Sequence, residues 1–230
     1  GVDDVWRSMS YYAQADYNYR YKYFVQGGLS METTSRFGRE VTDGINFVGV
    51  PWGLFPSVQT AWLISSEDFF DREKLGINSL KLSAGYDVTG NDDIAVTAAR
   101  TNLAANRFLN NSIGLVLNNI GNTRVQWETT HRFRVGLDLV NNNDVFGLSL
   151  NFFKSYTDNL LTLKSLPEIS GEGYYWSNDG SMENTGIDLG LRLKLINRKN
   201  WKWELGANAS AYKNEITALP DGDYTTKIYG

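Results

Sequence analysis

The chain has no cysteine, a single histidine and four prolines in 230 residues. Without cysteine there is no disulfide scaffold, no thiolate metal site and no cysteine nucleophile. One histidine disfavours a catalytic triad or a histidine-based metal site, and we interpret His131 as a strand residue near a membrane interface. Basic runs are absent and the formal net charge is -4, so the electrostatic footprint of a nucleic-acid-binding protein is missing.

Long apolar runs are also missing, since none approaches the roughly 18 residues of a transmembrane helix. This does not exclude a membrane protein, because β-barrel strands alternate and never produce such a run. The first ten residues, GVDDVWRSMS, do not have the pattern of a signal peptide. An exported protein needs one, so we expect residues 1–230 to be a single segment of a longer protein.

What the sequence does contain is apolar and polar residues in strict alternation. The clearest example is a stretch in which odd positions are apolar and even positions are polar or glycine: Ile187, Leu189, Leu191, Leu193 and Leu195 against Asp188, Gly190, Arg192 and Lys194. A helix would mix the two sets, whereas a strand separates them onto two faces. Residues 201–211 repeat the pattern after the short polar stretch 197–200, which predicts a hairpin.

The same reading along the whole chain predicts about eight strands. They cover about 11–19, 23–31, 53–65, 80–89, 132–139, 145–162, 183–196 and 201–211, with a short helical or irregular connection at 67–78. Short turns fall near 21, 142 and 198, and long loops at 35–52, 91–125 and 163–182. Long strands with short turns at one end and long loops at the other are typical of an all-β, antiparallel, up-and-down transmembrane β-barrel.

An ordered set of segments resembles the SusC/RagA family of TonB-linked (TonB-dependent) outer-membrane proteins. The segments are SYYAQADYNYRYKYFVQGGLSMETTSRFG (10–38), LFPSVQTAWLISSEDFF (54–70), INSLKLSAGYDVTGND (77–92), VQWETTHRFRVGLDL (125–139), NFFKSYTDNLL (151–161) and SMENTGIDLGL (181–191). Single motifs among them are not specific, but their order is. The chain departs from the family pattern at Asp87, Ser181 and Asp188, which leaves substrate and loop shape open.

The resemblance implies a C-terminal arc of a barrel with about 22 strands, the class whose lumen holds a plug. It also implies a plug and an N-terminal domain outside these residues, and TonB acting through that plug. A SusD-like surface lipoprotein would cover the extracellular mouth, and the cargo would be oligosaccharides or peptides. The expected location is the outer membrane of a Gram-negative bacterium, in contact with its lipid, with no enzymatic activity, cofactor or metal.

Candidate ligand contacts fall in two groups. Tyr174, Tyr175 and Trp176 lie in the predicted loop 163–182, where aromatic rings stack on sugars, contact a lid or pack within the loop. Strand parity predicts a lumen-facing set: Arg132, Arg134, Asp138, Asp188, Arg192 and Glu204. Arginines at these positions would either bind sugar hydroxyls or a peptide carboxylate, or pair with Asp and Glu on neighbouring strands. We favour the pairing.

Other readings of the residues remain open. The alternating strands also suit a soluble β-sheet carbohydrate-binding module, whose apolar face would be covered by a second layer, or a small closed barrel. Three pairs of neighbouring acids, at 67–68, 92–93 and 221–223, are interpreted as solvated loop residues and not as a glycosidase pair or a calcium loop.

Overall fold

The structure, a computed structural model, describes residues 5–108, 112–166 and 174–219. Its strands are β1 (Ser8–Tyr19), β2 (Tyr23–Thr34), β3 (Ile45–Phe47), β4 (Val50–Leu63), β5 (Ile77–Asn91), β6 (Asn102–Phe108), β7 (Ser112–Asn119), β8 (Glu128–Asn141), β9 (Phe146–Ser165), β10 (Tyr174–Asn197) and β11 (Lys202–Ala218). The β4–β5 connection holds a 3-10 turn, Ile64–Ser66, and a one-turn helix α1, Arg72–Leu75. Among all the described residues, no helix is long and apolar enough to span a membrane.

Eight strands form one antiparallel sheet in the order β1-β2-β4-β5-β8-β9-β10-β11, and β3 pairs with the start of β4. Each main strand therefore pairs with the next main strand along the chain, which is an up-and-down arrangement. β1 and β11 each have one unpaired edge within the described residues. The sheet is open, as expected for an arc of a larger barrel and not for a small closed one.

One face of the sheet is apolar from one edge to the other. Following direct cross-strand partners from the first residue of β2 gives the row Tyr23, Trp62, Leu82, Leu137, Leu150, Leu189 and Ala209. Direct partners project on the same side of a sheet, so these side chains form a continuous apolar band. We call the side that carries this row the apolar face.

The row beside it, one residue along each strand, lies on the opposite side. It consists of Phe24, Ala61, Ser83, Gly136, Asn151, Asp188 and Ser210. Five of these seven residues are polar or glycine, and we call this side the polar face. The sequence alternation thus becomes two chemically different surfaces, as in a barrel with lipid outside and water inside.

The strand ends show that the strands are tilted. The row that begins at the first residue of β2 reaches Ala209 on β11, seven residues after Lys202, where that strand begins (209 - 202). This stagger accumulates over six strand steps. With about 3.4 Å per residue and about 4.8 Å between strands, it corresponds to a tilt of about 40°. Transmembrane barrels have strand tilts of about 35–45°.

The apolar face is not covered by any second layer in the described residues. Leu82, Phe133 and Ile187 are 37, 47 and 49% exposed, although all three lie in central parts of their strands. Buried apolar side chains cluster instead at the long-loop end, among Phe37, Ile94, Ala98, Val125 and Trp127. We call these five residues the rim cluster. A soluble module would bury this face beneath a second layer.

The loops contain more structure than the sequence predicted. The predicted loop 91–125 holds the hairpin β6–β7, and the predicted loop 35–52 holds β3 and the first residues of β4. The loop 163–182 is also shorter than predicted, because β9 continues to Ser165 and β10 begins at Tyr174. Period-two reading stopped early on β10 because register shifts near Ser177 and Gly180 interrupt the alternation.

Candidate functional site

Two predicted arginines converge on one carboxylate of the polar face. Arg132 Nη2 lies 2.8 Å from Asp87 Oδ2 and Arg134 Nη2 lies 3.0 Å from Asp87 Oδ1. The Asp87 side chain is 8% exposed, whereas both guanidinium side chains are more than 40% exposed. The arginines thus pair with an acid of the neighbouring strand, the reading that the sequence favoured.

The third predicted arginine lies near the short-turn end of the sheet. Arg192 Nη2 is 2.8 Å from Asp144 Oδ1, and Lys194 forms an ion pair with the same carboxylate. The hydrogen bond from Lys194 and the positive charges of both neighbours lower the pKa of Asp144. Asp144 lies in the β8–β9 turn with a φ of 52°, a left-handed conformation that Asp tolerates better than most residues. Arg192 therefore ties β10 to this turn.

The predicted lumen acids are less uniform. Asp138 accepts hydrogen bonds from the Lys81 ammonium at 2.9 Å and from Ser149 Oγ at 2.8 Å. Asp188 shares the polar face and Glu204 lies opposite Lys194 on β11, but neither makes an ion pair with a described residue. The pattern is a wall of local cross-strand pairs, in which most charges are already compensated.

The aromatic trio separates into different environments. Trp176 packs against the rim cluster, so its ring is committed to the fold. Tyr175 lines a cavity of about 700 Å³ together with Gln126, Asn178 and the Lys164–Asp179 ion pair. Strand β10 includes Tyr174, but its side chain lies outside the described part of the structure. The prediction that all three lie in a loop was wrong, because β10 begins at Tyr174 and includes them. Neighbouring residues of a strand project to opposite faces, so the rings of Tyr175 and Trp176 have different surroundings.

A hydrogen-bonded network at this cavity was not predicted. It joins the amide side chains of Gln126, Asn159 and Asn178 to the Asp43 carboxylate, and we call it the amide ring. Gln126 Nε2 and Asn159 Nδ2 both donate to Asp43 Oδ2, at 2.9 and 2.6 Å. Asn178 Nδ2 donates to the backbone carbonyls of Gln126 and Asn159, at 2.9 and 2.7 Å, and its Oδ1 accepts from the Gln126 backbone N–H at 2.9 Å. These four residues come from two loops and two strands, since Asp43 precedes β3, Gln126 precedes β8, Asn159 lies in β9 and Asn178 in β10. No local sequence pattern marks them, because every contact except one spans more than 50 positions of the chain.

A carboxylate at the opposite end of the sheet was read in the sequence as a solvated loop acid. Glu67 accepts hydrogen bonds from Tyr23 Oη at 2.6 Å, from Trp62 Nε1 at 3.0 Å and from Lys22 Nζ at 3.0 Å. These donors, with Tyr23 as the strongest influence, lower the pKa of Glu67 to about 2. The reading was wrong for Glu67, since it joins the β1–β2 turn to the β4–β5 connection. Its neighbour Asp68 is fully exposed, as expected.

The remaining sequence candidates carry no catalytic arrangement among the described residues. His131 lies in β8, as predicted, and its Nδ1 is 2.8 Å from Tyr86 Oη on the apolar face. Its position near a membrane interface stays a prediction. No group of three or more His, Asp or Glu side chains in the described ranges is placed to hold a metal ion. The acids at 221 and 223 lie outside those ranges.

Residues 2–229 match the family described as TonB dependent receptor-like, beta-barrel. The chain therefore belongs to this family of outer-membrane transporters and receptors, and its sheet is a segment of their transmembrane barrel.

The chain is also similar to individual TonB-dependent receptors along nearly its whole length. The chain is 32% identical over 215 residues to the TonB-dependent receptor P39 of Formosa agariphila and 28% identical over 225 residues to the TonB-dependent receptor SusC of Bacteroides thetaiotaomicron. These alignments cover 93 and 94% of the chain but 20 and 21% of the two relatives. A structure of the RagAB peptide transporter superimposes with a TM-score of 0.82 at 25% identity, covering 94% of this chain and 23% of that one. The SusC/RagA resemblance is thereby confirmed, and the chain spans about a fifth of the length of these relatives.

Proposed function

We propose that this chain is one stretch of the barrel wall of a SusC-like importer, which moves peptides or oligosaccharides across the outer membrane. Residues 1–230 form a single barrel segment, and the plug and N-terminal domains lie elsewhere in the longer protein. TonB supplies energy through the plug, and a SusD-like lipoprotein covers the extracellular mouth. The observation that carries the proposal is the uncovered apolar row across seven strands, backed one residue away by a polar row.

The cargo-contacting part of the segment is the Tyr175 cavity at the long-loop end, which faces the cell exterior in barrels of this kind. An aromatic ring beside amide and charged groups suits a polymer that has both flat or apolar surfaces and many hydrogen-bonding groups. Peptides and oligosaccharides both have this chemistry. Support for the position comes from the amide ring and the rim cluster, because they hold the cavity wall in one geometry.

The arginines of the polar face have a different role in this proposal. Arg132 and Arg134 are engaged with Asp87, and Arg192 with Asp144. Their partly exposed guanidinium groups give the lumen a charged, hydrated lining, but cargo would have to compete with an existing carboxylate partner. We therefore assign primary cargo contact to Tyr175. The absence of enzymatic activity stays a prediction.

The test uses the full-length receptor in its native bacterium. Deletion of the gene is expected to abolish growth on one class of peptide or oligosaccharide as nutrient. In the wild type, the protein is expected to fractionate with the outer membrane. Complementation with Y175A is expected to raise the half-saturating cargo concentration about tenfold, equivalent to about 1.4 kcal/mol. The matched control is Y21A, since Tyr21 is 78% exposed at the opposite, short-turn end.

The outcomes separate the two parts of the proposal. If the deletion strain grows normally on every peptide and oligosaccharide tested, the importer assignment is wrong. If Y175A and Y21A transport equally well at equal surface levels, the importer stands but the Tyr175 cavity is not the cargo contact.

A further inference from the structure

A crevice opens on the apolar face between the β3–β4 hairpin and the ends of β5, β8 and β9 at the long-loop end of the sheet, which we call the upper end. Its volume is about 590 Å³, within the roughly 300–1,000 Å³ of ordinary ligand sites. Its apolar lining includes Ile45, Leu54, Phe55, Pro56, Val88 and Trp127, and the Tyr86–His131 pair adjoins it.

The strand registers place this wall on the lipid side. Pro56 pairs directly with Leu29, and His131 pairs directly with Val88. Tyr86 pairs with Phe133, which is 47% exposed on the apolar face. Since direct partners share a side of the sheet, these residues continue the apolar band to the crevice, whereas Phe55 pairs with Ser30 and has the opposite parity on β4.

The crevice exists because two neighbouring strands separate. Pairing between β4 and β5 ends at Ser57 and Asp87. Pro56, the next residue upward on β4, has no N–H to donate and so cannot extend the ladder. The β3–β4 hairpin pairs only through residues 45–47 and 50–52, which leaves the gap below it unfilled.

The upper end of the crevice is acidic. Asp43, Asp158 and Asn159 lie there, and Asp158 makes no ion pair with a described residue. The Tyr86 hydroxyl and His131 Nδ1, 2.8 Å apart, flank the apolar part. Carboxylates accept hydrogen bonds and repel anions. This end therefore suits a head group with hydroxyl or ammonium donors.

We propose that the crevice binds the acyl chain of an outer-leaflet lipid, whose donor-bearing head group lies against Asp158. The apolar wall and its continuity with the lipid-facing band identify the chain, and the acidic end identifies the head-group chemistry. The inference rests on the membrane placement in the proposed function but not on the nature of the cargo.

The experiment measures lipid binding to the full-length receptor by native mass spectrometry after exhaustive delipidation in detergent. The probe is phosphatidylethanolamine, which carries an ammonium donor, and phosphatidic acid with the same acyl chains is the comparison. The variants are I45D, which puts a charge into the crevice, and I45W, which fills it. F47D and F47W are matched controls, because Phe47 lies two residues away on the same strand but does not line the crevice.

The wild type, F47D and F47W are expected to bind one phosphatidylethanolamine, and both Ile45 variants at least tenfold more weakly. Equal binding by all five proteins, or equal loss in the Phe47 controls, overturns the site. Equal affinity for phosphatidic acid overturns the head-group assignment. A receptor absent from the membrane fraction would instead contradict the proposed function, so the two failures are distinguishable. The cargo half-saturation of I45W serves as a fold check and is expected to match the wild type.

Discussion

Replacing Asp87 by asparagine removes the charge on which two arginines of the polar face converge. Asp87 is the least exposed of the three, with an 8% exposed side chain, and it accepts hydrogen bonds from Arg132 Nη2 at 2.8 Å and Arg134 Nη2 at 3.0 Å. D87N keeps the shape of the side chain, but its NH₂ group then faces guanidinium donors. Two cations are left beside each other without their shared counter-charge.

The size of the effect follows from the burial of the groups. Hydrogen bonds to charged groups contribute about 1.5–3 kcal/mol each, and loss of one partner of a fully buried ion pair costs about 3–5 kcal/mol. Both arginines are more than 40% exposed, so water screens much of the loss. We expect D87N to destabilise the folded barrel by about 2 kcal/mol.

The assay is denaturant unfolding of the full-length receptor in detergent, with a double-mutant cycle between D87N and R132Q. The expected coupling free energy is about 1 kcal/mol, since Arg134 remains to compensate in part. The control is D188N, because Asp188 lies on the same polar face without an ion pair to a described residue. A coupling below about 0.3 kcal/mol, or an equal effect of D188N, would refute the assignment of Asp87 as an ionic junction.

Three further changes test other parts of the sheet. Glu67 has a pKa lowered to about 2 from an ordinary 4.5. Its stabilisation is therefore complete above about pH 5 and is lost as the pH falls towards 2, and E67Q is expected to flatten this part of the stability profile measured by denaturant unfolding. At Gly38 a Cβ would come within 1.7 Å of the Thr123 carbonyl oxygen, so G38A is expected to displace the rim loops and cost roughly 1–3 kcal/mol; wild-type stability would contradict the close approach. L150R puts a charge into the apolar row and is expected to cost about 2–4 kcal/mol in lipid bilayers, whereas N151R on the polar face serves as the control, and equal losses would contradict the assignment of the two faces.

The strands and their faces could be predicted because they depend on local alternation. A residue and its second neighbour lie on the same side of a regular strand. Leu189 and Leu191 therefore predicted the apolar face without any knowledge of their partners. The same parity predicted that Arg132 and Arg134 face the lumen. Identification of Asp87 as their shared partner needed the β5–β8 register as well.

The rim could not be predicted in this way. Strand β10 begins nine residues before the clear alternation at Glu183, because register shifts there break the period of two. Trp176 and Tyr175 were grouped as neighbours in sequence, but the Trp176 ring packs against the rim cluster and Tyr175 lines the cavity.

The sequence by itself determined the antiparallel hairpins, the apolar and polar faces and the family, since each depends on residues close together in the chain or on an ordered set of motifs. Only the tertiary structure decided the amide ring of Asp43, Gln126, Asn159 and Asn178, the junction at Glu67 and the lipid-side crevice. These features arise where separate loops and strand ends meet. Their hydrogen bonds depend on distances in space between residues that are far apart in sequence, and a one-dimensional pattern carries no information about such distances.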